Sequence, residues 1–225
     1  SEGIGFAIAK SFAVEGAHPH LVSRSKEKLE KAKAEILKVA DVEVSVHPYD
    51  LSVSENVQKL YQECADIDIL INNAGAVPPG GISMSEDTWR EAWDLKIYGY
   101  INMMRAYYSR MAEKNSGVII NIAGGAGERP RFGFLAGAAG NAAIMALARG
   151  LGSESIDSGV RVLTVNPGRT ETQRMVQLLQ AEAERSFGDS GRWRELLADS
   201  PAGRAASPEE VADLVVFLAS DRASY

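Results

Sequence analysis

The chain has 225 residues, of which 45% are hydrophobic and 24% are charged, and its formal net charge is -6. This composition is typical of a well-cored globular protein and excludes disordered and collagen-like chains. The apolar runs fall far short of the roughly 20 residues that a membrane-spanning helix needs, so no membrane span is expected. The basic residues are scattered along an acidic chain, which argues against a nucleic-acid partner.

The single cysteine, Cys64, cannot form an intramolecular disulfide. No signal-like segment opens the sequence, and a reducing cytoplasmic setting is therefore expected. One cysteine also cannot supply a cysteine-rich metal site, so the sequence predicts no metal.

Short apolar and β-branched runs alternate with amphipathic helical stretches along the whole chain, a pattern typical of α/β proteins. The runs are apolar on both faces, as in parallel sheets. The sequence thus predicts one doubly wound Rossmann-type domain over residues 1–225, with a mostly parallel sheet and helices on both faces. The predicted strands cover residues 20–23, 43–47, 67–72, 117–122 and 160–166.

Two helix starts carry capping signals. Ser207 with Glu210 three residues later predicts a capping box, with proline at the first helical position. Ser52 with Glu55 predicts a second box. No strand signal occurs between residues 170 and 206, and this segment is predicted to form a helical lid over the substrate.

Both ends of the sequence indicate missing strands. The first residues, Ser-Glu-Gly-Ile-Gly, read as the end of a glycine-rich turn with no strand before it. At the other end, the helix predicted over residues 211–219 is followed by only a few residues. We therefore expect that the polypeptide continues at both ends, with the first and last strands of the sheet outside the given sequence.

The glycine-rich turn and the end of the first predicted strand favour a dinucleotide. Gly3-Ile4-Gly5 would let the backbone approach a pyrophosphate at a helix N-terminus, although a glycine pair is also common in purely structural turns. Ser23 and Arg24 stand where a dinucleotide fold meets the adenosine ribose, and they favour a 2'-phosphate over a 2'-hydroxyl. NADP is therefore predicted, with NAD as the alternative. A solvated loop arginine is the other interpretation of Arg24.

Further landmarks follow the later strands. They are Asp50-Leu51, Asn72-Asn73-Ala74-Gly75, Asn166-Pro167-Gly168 with Thr172, and Ser207-Pro208-Glu209-Glu210. With the glycine turn, these motifs resemble in order and spacing those of the short-chain dehydrogenase/reductase family. The resemblance covers the whole chain and implies oxidoreductase activity with a nicotinamide cofactor.

The resemblance also implies cofactor contacts. Asp50 would bind the adenine amine, Asn72 and Ala74 would line the adenosine ribose side, and Thr170 or Thr172 would lie near the nicotinamide carboxamide. The complete set of predicted cofactor-binding residues is Gly3, Ile4, Gly5, Ser23, Arg24, Asp50, Leu51, Asn72, Ala74, Gly75, Asn141, Pro167, Gly168, Thr170 and Thr172.

The catalytic residues of the family are replaced at the matching positions. In the family, an Asn, a Ser, a Tyr and a Lys support proton transfer. The aligned positions here hold, in that order, Lys96, Gly124, Gly137 and Asn141. A variant pattern with Tyr seven residues before the Lys meets Phe134, which has no hydroxyl. Because glycine carries no proton donor, the usual proton transfer is not available, and the Lys and Asn are interpreted as an exchanged pair.

Two residues are candidate proton donors. Lys96, if desolvated beside the nicotinamide, would have a lowered pKa and could donate a proton or anchor an anionic substrate. Glu128 is the second candidate, and Arg129 or Arg131 in the same loop is a candidate clamp for a carboxylate or phosphate. The alternative is that all four are solvated or subunit-contact charges. The histidines are not predicted to take part in chemistry at the nicotinamide.

Three functions stay open. The favoured one is an NADP(H)-dependent oxidoreductase acting on a small carbonyl, alcohol or enone with an atypical proton donor, because the cofactor itself carries the hydride. The others are a catalytically silent dinucleotide-binding sensor or oligomer partner, and a non-redox lyase or isomerase. Family members commonly pair through two long helices, predicted here over residues 87–113 and 135–157, so a homodimer or homotetramer is expected.

Overall fold

The computed structural model describes residues 2–75 and 77–224. The strands in these ranges are β1 (His20–Val22), β2 (Ser45–His47), β3 (Ile69–Asn72), β4 (Gly117–Ile122) and β5 (Val160–Val165). The α-helices are α1 (Gly3–Val14), α2 (Lys26–Leu37), α3 (Ser54–Glu63), α4 (Glu86–Trp93), α5 (Tyr100–Glu113), α6 (Leu135–Ser155), α7 (Gln173–Phe187) and α8 (Pro208–Ala219). The predicted strands are thus present, with ends that agree or are one or two residues shorter.

The strands pair in parallel, in two groups. β1 pairs with β2, and β4 lies between β3 and β5. In the described part of the chain no ladder joins the two groups. A groove of about 1530 Å³ is lined by β1 on one side and β3 on the other, and α1 also contributes to it.

Helices cover both faces of the sheet. All six residues of β4 are buried, and its side chains alternate between two apolar clusters. Ile120 packs with residues of α1 and α8 on one face. Ile119 packs with Tyr107 of α5 and Ile144 of α6 on the other. This arrangement confirms the predicted doubly wound Rossmann-type fold.

One long helix is interrupted by a π-helical segment. α4 continues into the π-helical residues Asp94–Gly99 and then into α5, which agrees with the helix predicted over residues 87–113. α4, all of whose residues are described, buries none of them, whereas α5 buries five. No described helix is both long and apolar enough to cross a bilayer.

One predicted capping box is confirmed and the other is wrong. At α8, the Glu210 amide donates to Ser207 Oγ (3.1 Å) and the Ser207 amide donates to the Glu210 carboxylate (2.7 Å). At α3, the N-cap is Val53, and no described side chain caps the helix. Ser52 instead donates its amide and hydroxyl to the Asp50 carboxylate (3.0 and 2.7 Å). This local turn competes with the cap for the same hydroxyl.

The segment over residues 170–206 is helical, as predicted. It contains α7 and a 3₁₀ segment, Ser190–Leu197, which pack on each other around a small apolar cluster. Its two ends meet where Thr170 bridges to Ala206. The first turns of α7 border the pocket described next.

Candidate active site

Two clefts meet at the carboxyl edge of the sheet, where ligands bind in this class of fold. The first is the groove between β1 and β3, which extends along both strands from Pro19 and Asp68 at their amino ends to Ser23 and Asn73 at their carboxyl ends. Of the predicted cofactor-binding residues, it brings together Gly3, Ile4, Gly5, Ser23, Arg24, Leu51, Asn72, Ala74, Gly75 and Thr172. The second is a pocket of about 290 Å³ that shares Gly75, Thr172 and Arg174 with the groove.

The start of α1 is shaped to approach a ligand closely. Gly3 has a φ of +56°, which disfavours any residue with a side chain. A Cβ added to Gly5 would lie 2.5 Å from Asn73 Nδ2, so Asn73, to which the sequence motif gave no role of its own, packs directly against this turn. No described side chain caps α1, and Glu2 pairs with Lys28 at 3.1 Å. The first-turn amides therefore fit a phosphate anion.

Arg24 and Asp50 lie close enough to interact electrostatically. Burial acts to raise the pKa of Asp50, but hydrogen bonds from Ser52 and the positive charge of Arg24 lower it below its ordinary value. Arg24 also lines the groove. Its guanidinium is thus placed beside the ends of the first two strands, near the site where the sequence predicts the adenosine ribose.

Some predicted cofactor residues have structural partners of their own. Asn72 is buried, and its Nδ2 donates to Asn121 Oδ1 across the β3–β4 pair (2.9 Å). Pro167 accepts a hydrogen bond from the Gly125 amide (3.0 Å), which ties together the segments after β4 and β5. Within the described ranges, Asp50, Pro167, Gly168 and Thr170 do not line either cleft.

The small pocket combines apolar walls with a few polar groups. Its lining residues are Gly75, Val77, Pro79, Lys96, Ala123, Phe134, Asn141, Thr172, Arg174, Met175 and Leu178. The apolar members come mainly from the loop after β3 and from α7. Such a pocket, largely apolar with few polar groups, is typical of a small-molecule site.

Lys96 is buried at the inner end of this pocket, with 6% of its surface exposed. Its Nζ donates to the carbonyls of Ile122 (2.7 Å) and Ala123 (3.3 Å) and to the Tyr100 hydroxyl (3.2 Å). Burial lowers the pKa of Lys96 to about 8. The desolvation expected from the sequence is therefore present, and the ammonium also fastens the π-helical segment to the end of β4.

Asn141 lines the same pocket, so the structure brings the two exchanged residues together. Its side chain is 5% exposed. Among the described residues, its amide has no hydrogen-bond partner. The amide reaches the pocket and is placed to hydrogen-bond a ligand there.

The two glycines at the predicted catalytic positions are packed against neighbours. Gly124 has a φ of +137°, and a Cβ there would lie 2.9 Å from Asn141 Nδ2. A Cβ on Gly137 would lie 2.1 Å from the Phe134 ring. Phe134 therefore occupies the space beside Gly137, a relation that the sequence did not reveal.

The charged loop after β4 lies outside the pocket. Glu128, Arg129 and Arg131 are exposed, and Glu128 accepts a hydrogen bond from Asn166 Nδ2 (3.1 Å). In the described part of the chain they do not line either cleft. Arg174 of α7, by contrast, lines both clefts and donates to the Val77 carbonyl (2.9 Å). Its only sequence signal is its position two residues after Thr172.

The parallel sheet, the glycine turn and the clefts at the carboxyl edge define a dinucleotide-binding protein of the Rossmann type. A family model described as short chain dehydrogenase matches residues 1–183. The chain belongs to this family of NAD(P)-dependent oxidoreductases.

Two curated relatives illustrate the similarity. The chain is 31% identical over 230 residues to the 2,3-dihydro-2,3-dihydroxybenzoate dehydrogenase of Bacillus subtilis (strain 168), covering 100% of this chain and 88% of the relative. It is 32% identical over 230 residues to the 3-oxoacyl-(acyl-carrier-protein) reductase FabG of Chlamydia muridarum, covering 100% and 89%.

Solved structures give the same result. L-sorbose reductase from Gluconobacter frateurii, complexed with NADPH and L-sorbose, superposes with a TM-score of 0.92 at 30% identity, covering 100% of this chain and 88% of that one. YwfH, an NADPH-dependent reductase involved in bacilysin biosynthesis, has a TM-score of 0.90 at 28% identity, with coverages of 100% and 89%.

Proposed function

We propose that this protein is an NADP(H)-dependent oxidoreductase that acts on a small carbonyl, alcohol or enone, with Lys96 in place of the family's proton donor. The observation that carries the proposal is the pocket beside the groove, which holds a buried ammonium and an unpartnered amide. The family's Ser and Tyr positions would be Gly124 and Gly137, neither of which can donate a proton from a side chain.

The groove supports NADP(H) as the cofactor. The uncapped start of α1 suits the pyrophosphate, and Arg24 suits a 2'-phosphate. Glu2 could repel that phosphate, but its carboxylate is paired with Lys28. The similar L-sorbose reductase was solved in complex with NADPH, and YwfH is an NADPH-dependent reductase.

Lys96 and Asn141 would have different functions at the nicotinamide end of the cofactor. When bound, the nicotinamide supplies or accepts the hydride. The Asn141 amide would hold the nicotinamide side of the cofactor. Lys96 Nζ, whose pKa burial lowers to about 8, would hold the proton that passes to the substrate oxygen. To do so, the ammonium must exchange one of its three internal hydrogen bonds for the substrate. Glu128 is the weaker candidate, because it is exposed and bonded to Asn166 outside the pocket.

The pocket also favours a class of substrate. Val77, Pro79, Phe134 and Leu178 would surround an apolar body. Arg174, exposed at the edge and not involved in any ion pair among the described residues, would suit a carboxylate on the same molecule. Residues 170–206 would then act as the substrate lid.

A second candidate is a catalytically silent dinucleotide-binding protein. It is favoured by the three hydrogen bonds that already satisfy the Lys96 ammonium. Under this alternative, Lys96 would serve only to join the helix to β4, and the cofactor would bind without turnover.

The test is to mix the protein with NADPH and a panel of ketones, enones and imines while following the near-ultraviolet absorbance of the reduced cofactor. We expect turnover, with the rate of carbonyl reduction falling as pH rises through about 8, because the protonated ammonium is the donor. Lys96→Met should lower turnover by about 100-fold or more, with NADPH affinity by calorimetry nearly unchanged.

The matched control is Lys59→Met, which removes an exposed helical lysine and should change neither quantity. Asn141→Ala should weaken NADPH binding. Tight NADPH binding with no oxidation across the panel would favour the silent protein. Equal turnover of Lys96→Met and the parent would exclude Lys96 as the proton donor.

A further inference from the structure

Three potential metal ligands lie close together on the face of the β1–β2 pair that is turned away from α2. His20 begins β1, His47 ends β2, and Cys64 directly follows α3. The candidate ligand atoms of these three residues all lie within 4.8 Å of one another. His20 Nδ1 and His47 Nε2 are 3.0 Å apart. Ligand atoms around a tetrahedral zinc ion are about 3.3–3.6 Å apart, given bond lengths of about 2.0 Å to nitrogen and 2.3 Å to sulfur.

The hydrogen bonds of His47 orient it toward this cluster. Its Nδ1 lies 2.7 Å from the Glu63 carboxylate, which also accepts a hydrogen bond from the Tyr49 hydroxyl. A carboxylate only accepts, so His47 Nδ1 carries the proton. In the neutral ring, Nε2 is then a bare lone pair pointing at His20 Nδ1.

That lone pair needs a positive partner in the 3.0 Å gap. Either a proton on His20 Nδ1 or a metal ion can fill the role. Two lone pairs facing each other would repel. A metal ion satisfies both nitrogens at once, and it also engages Cys64 Sγ, whose thiol in the metal-free protein donates to the Leu60 carbonyl (3.2 Å).

Three features of the surroundings also suit a metal ion. Ligand histidines usually donate their second nitrogen to a carboxylate, and Glu63 provides this contact, held in turn by the Tyr49 hydroxyl. The Tyr107 hydroxyl lies 3.4 Å from Cys64 Sγ and is placed to donate to a thiolate. The side chain of His20 is exposed, so an ion can reach the cluster from solvent.

We propose that His20 Nδ1, His47 Nε2 and Cys64 Sγ bind one divalent transition-metal ion of the zinc type. Two imidazoles and a thiolate select such an ion over magnesium or calcium, which prefer oxygen ligands. On binding, the Cys64 thiol loses its proton to solvent and a metal–sulfur bond forms, with no change of oxidation state. Water takes the fourth position. The ion joins β1, β2 and the end of α3, and it acts independently of the proposed chemistry at Lys96.

The test uses the full chain, stripped of metal with a chelator and titrated with cobalt(II) as a spectroscopic substitute for zinc. We expect one equivalent to bind, with a thiolate-to-cobalt charge-transfer band in the near ultraviolet and the intense visible bands of a tetrahedral site. Zinc should displace the cobalt and raise the melting temperature. Absence of the charge-transfer band in the parent protein overturns the proposal, whatever the variants do.

The variants separate ligands from neighbours. Cys64→Ser should abolish the charge-transfer band, and His47→Gln should weaken cobalt binding by more than the roughly 10- to 100-fold loss expected for the outer contact in Glu63→Gln. His18→Gln is the matched control, because His18 instead accepts from the Glu43 amide (3.0 Å). Loss of binding in the control equal to that in His47→Gln would show non-specific coordination and refute the site.

Discussion

The buried ammonium of Lys96 makes the stability of this protein depend on pH in a direction opposite to that of most lysines. In the unfolded chain the pKa of Lys96 is ordinary, near 10.5, whereas burial lowers it to about 8 in the folded protein. Between these two values the unfolded chain binds more protons than the folded one. The free energy of unfolding therefore rises with pH through this window, and the full cost of burying the charge is present below it.

The size of the effect follows from the shift. One pKa unit corresponds to about 1.4 kcal/mol. The contribution of Lys96 to the free energy of unfolding is therefore roughly 2.5 kcal/mol more favourable at about pH 10 than at about pH 7. Lys96→Met removes the titrating group while keeping a long side chain in the same space. The variant should lose this component of the pH dependence.

The assay is urea denaturation followed by circular dichroism, for the parent, Lys96→Met and the control Lys59→Met. Other groups that titrate over the same range are shared by all three proteins and cancel in the differences. We expect Lys59→Met to follow the parent and Lys96→Met to gain relative stability at the lower pH. If the difference between Lys96→Met and the parent does not change with pH, Lys96 is not buried as an isolated cation, and its proposed role in proton transfer fails with it.

Three further predictions follow from the site. Arg24→Ala should weaken NADPH binding by about 1–2 kcal/mol and leave NADH binding unchanged, measured by calorimetry; equal losses for both would show that Arg24 does not meet a 2'-phosphate. Restoring the family pattern with Gly124→Ser, Gly137→Tyr and Asn141→Lys should give ketone reductase activity only when Phe134→Ala is added, because the Phe134 ring lies 2.1 Å from a Cβ on Gly137; activity in the triple variant alone would contradict this packing. Self-association through α4–α5 and α6 should appear as a dimer or tetramer in light scattering at micromolar concentration, and a monomer there would refute it.

The elements were predictable where one local signal dominated. β4 is apolar at most positions, and Ser207 with Glu210 forms its capping box even though Arg204 also donates to the Glu210 carboxylate. The Ser52 box failed because Asp50, two residues earlier, offers its carboxylate to the same amide and hydroxyl. The sequence shows that Ser52 could bond either to Asp50 or at the start of α3, but it does not show which arrangement has the lower free energy.

The site was only partly predictable, because much of it depends on contacts between distant segments. Arg174 reaches the pocket from α7, 97 residues beyond its partner Val77. Phe134 excludes a side chain at Gly137 by a ring placement that no pattern encodes. His20 and His47 meet through the register of β1 and β2, which is fixed by packing and not by sequence separation. For Lys96 the sequence left two alternatives, a desolvated lysine and an exposed one, and the structure has the buried form.

The π-helical segment Asp94–Gly99 helps to determine where Lys96 lies in the pocket. Its wider hydrogen-bonding pattern accommodates one more residue per turn than an α-helix would hold. Deleting one residue there would let the segment close as an α-helix, with α4 and α5 keeping nearly the same relative rotation, because the wider turn is what absorbs the extra residue. A deletion between Lys96 and α5 would instead move Lys96 by about one residue position, roughly 100° around the helix axis, and carry it away from the carbonyls of Ile122 and Ala123. The position of the cation is thus specified by the length of the helix as well as by the identity of the residue.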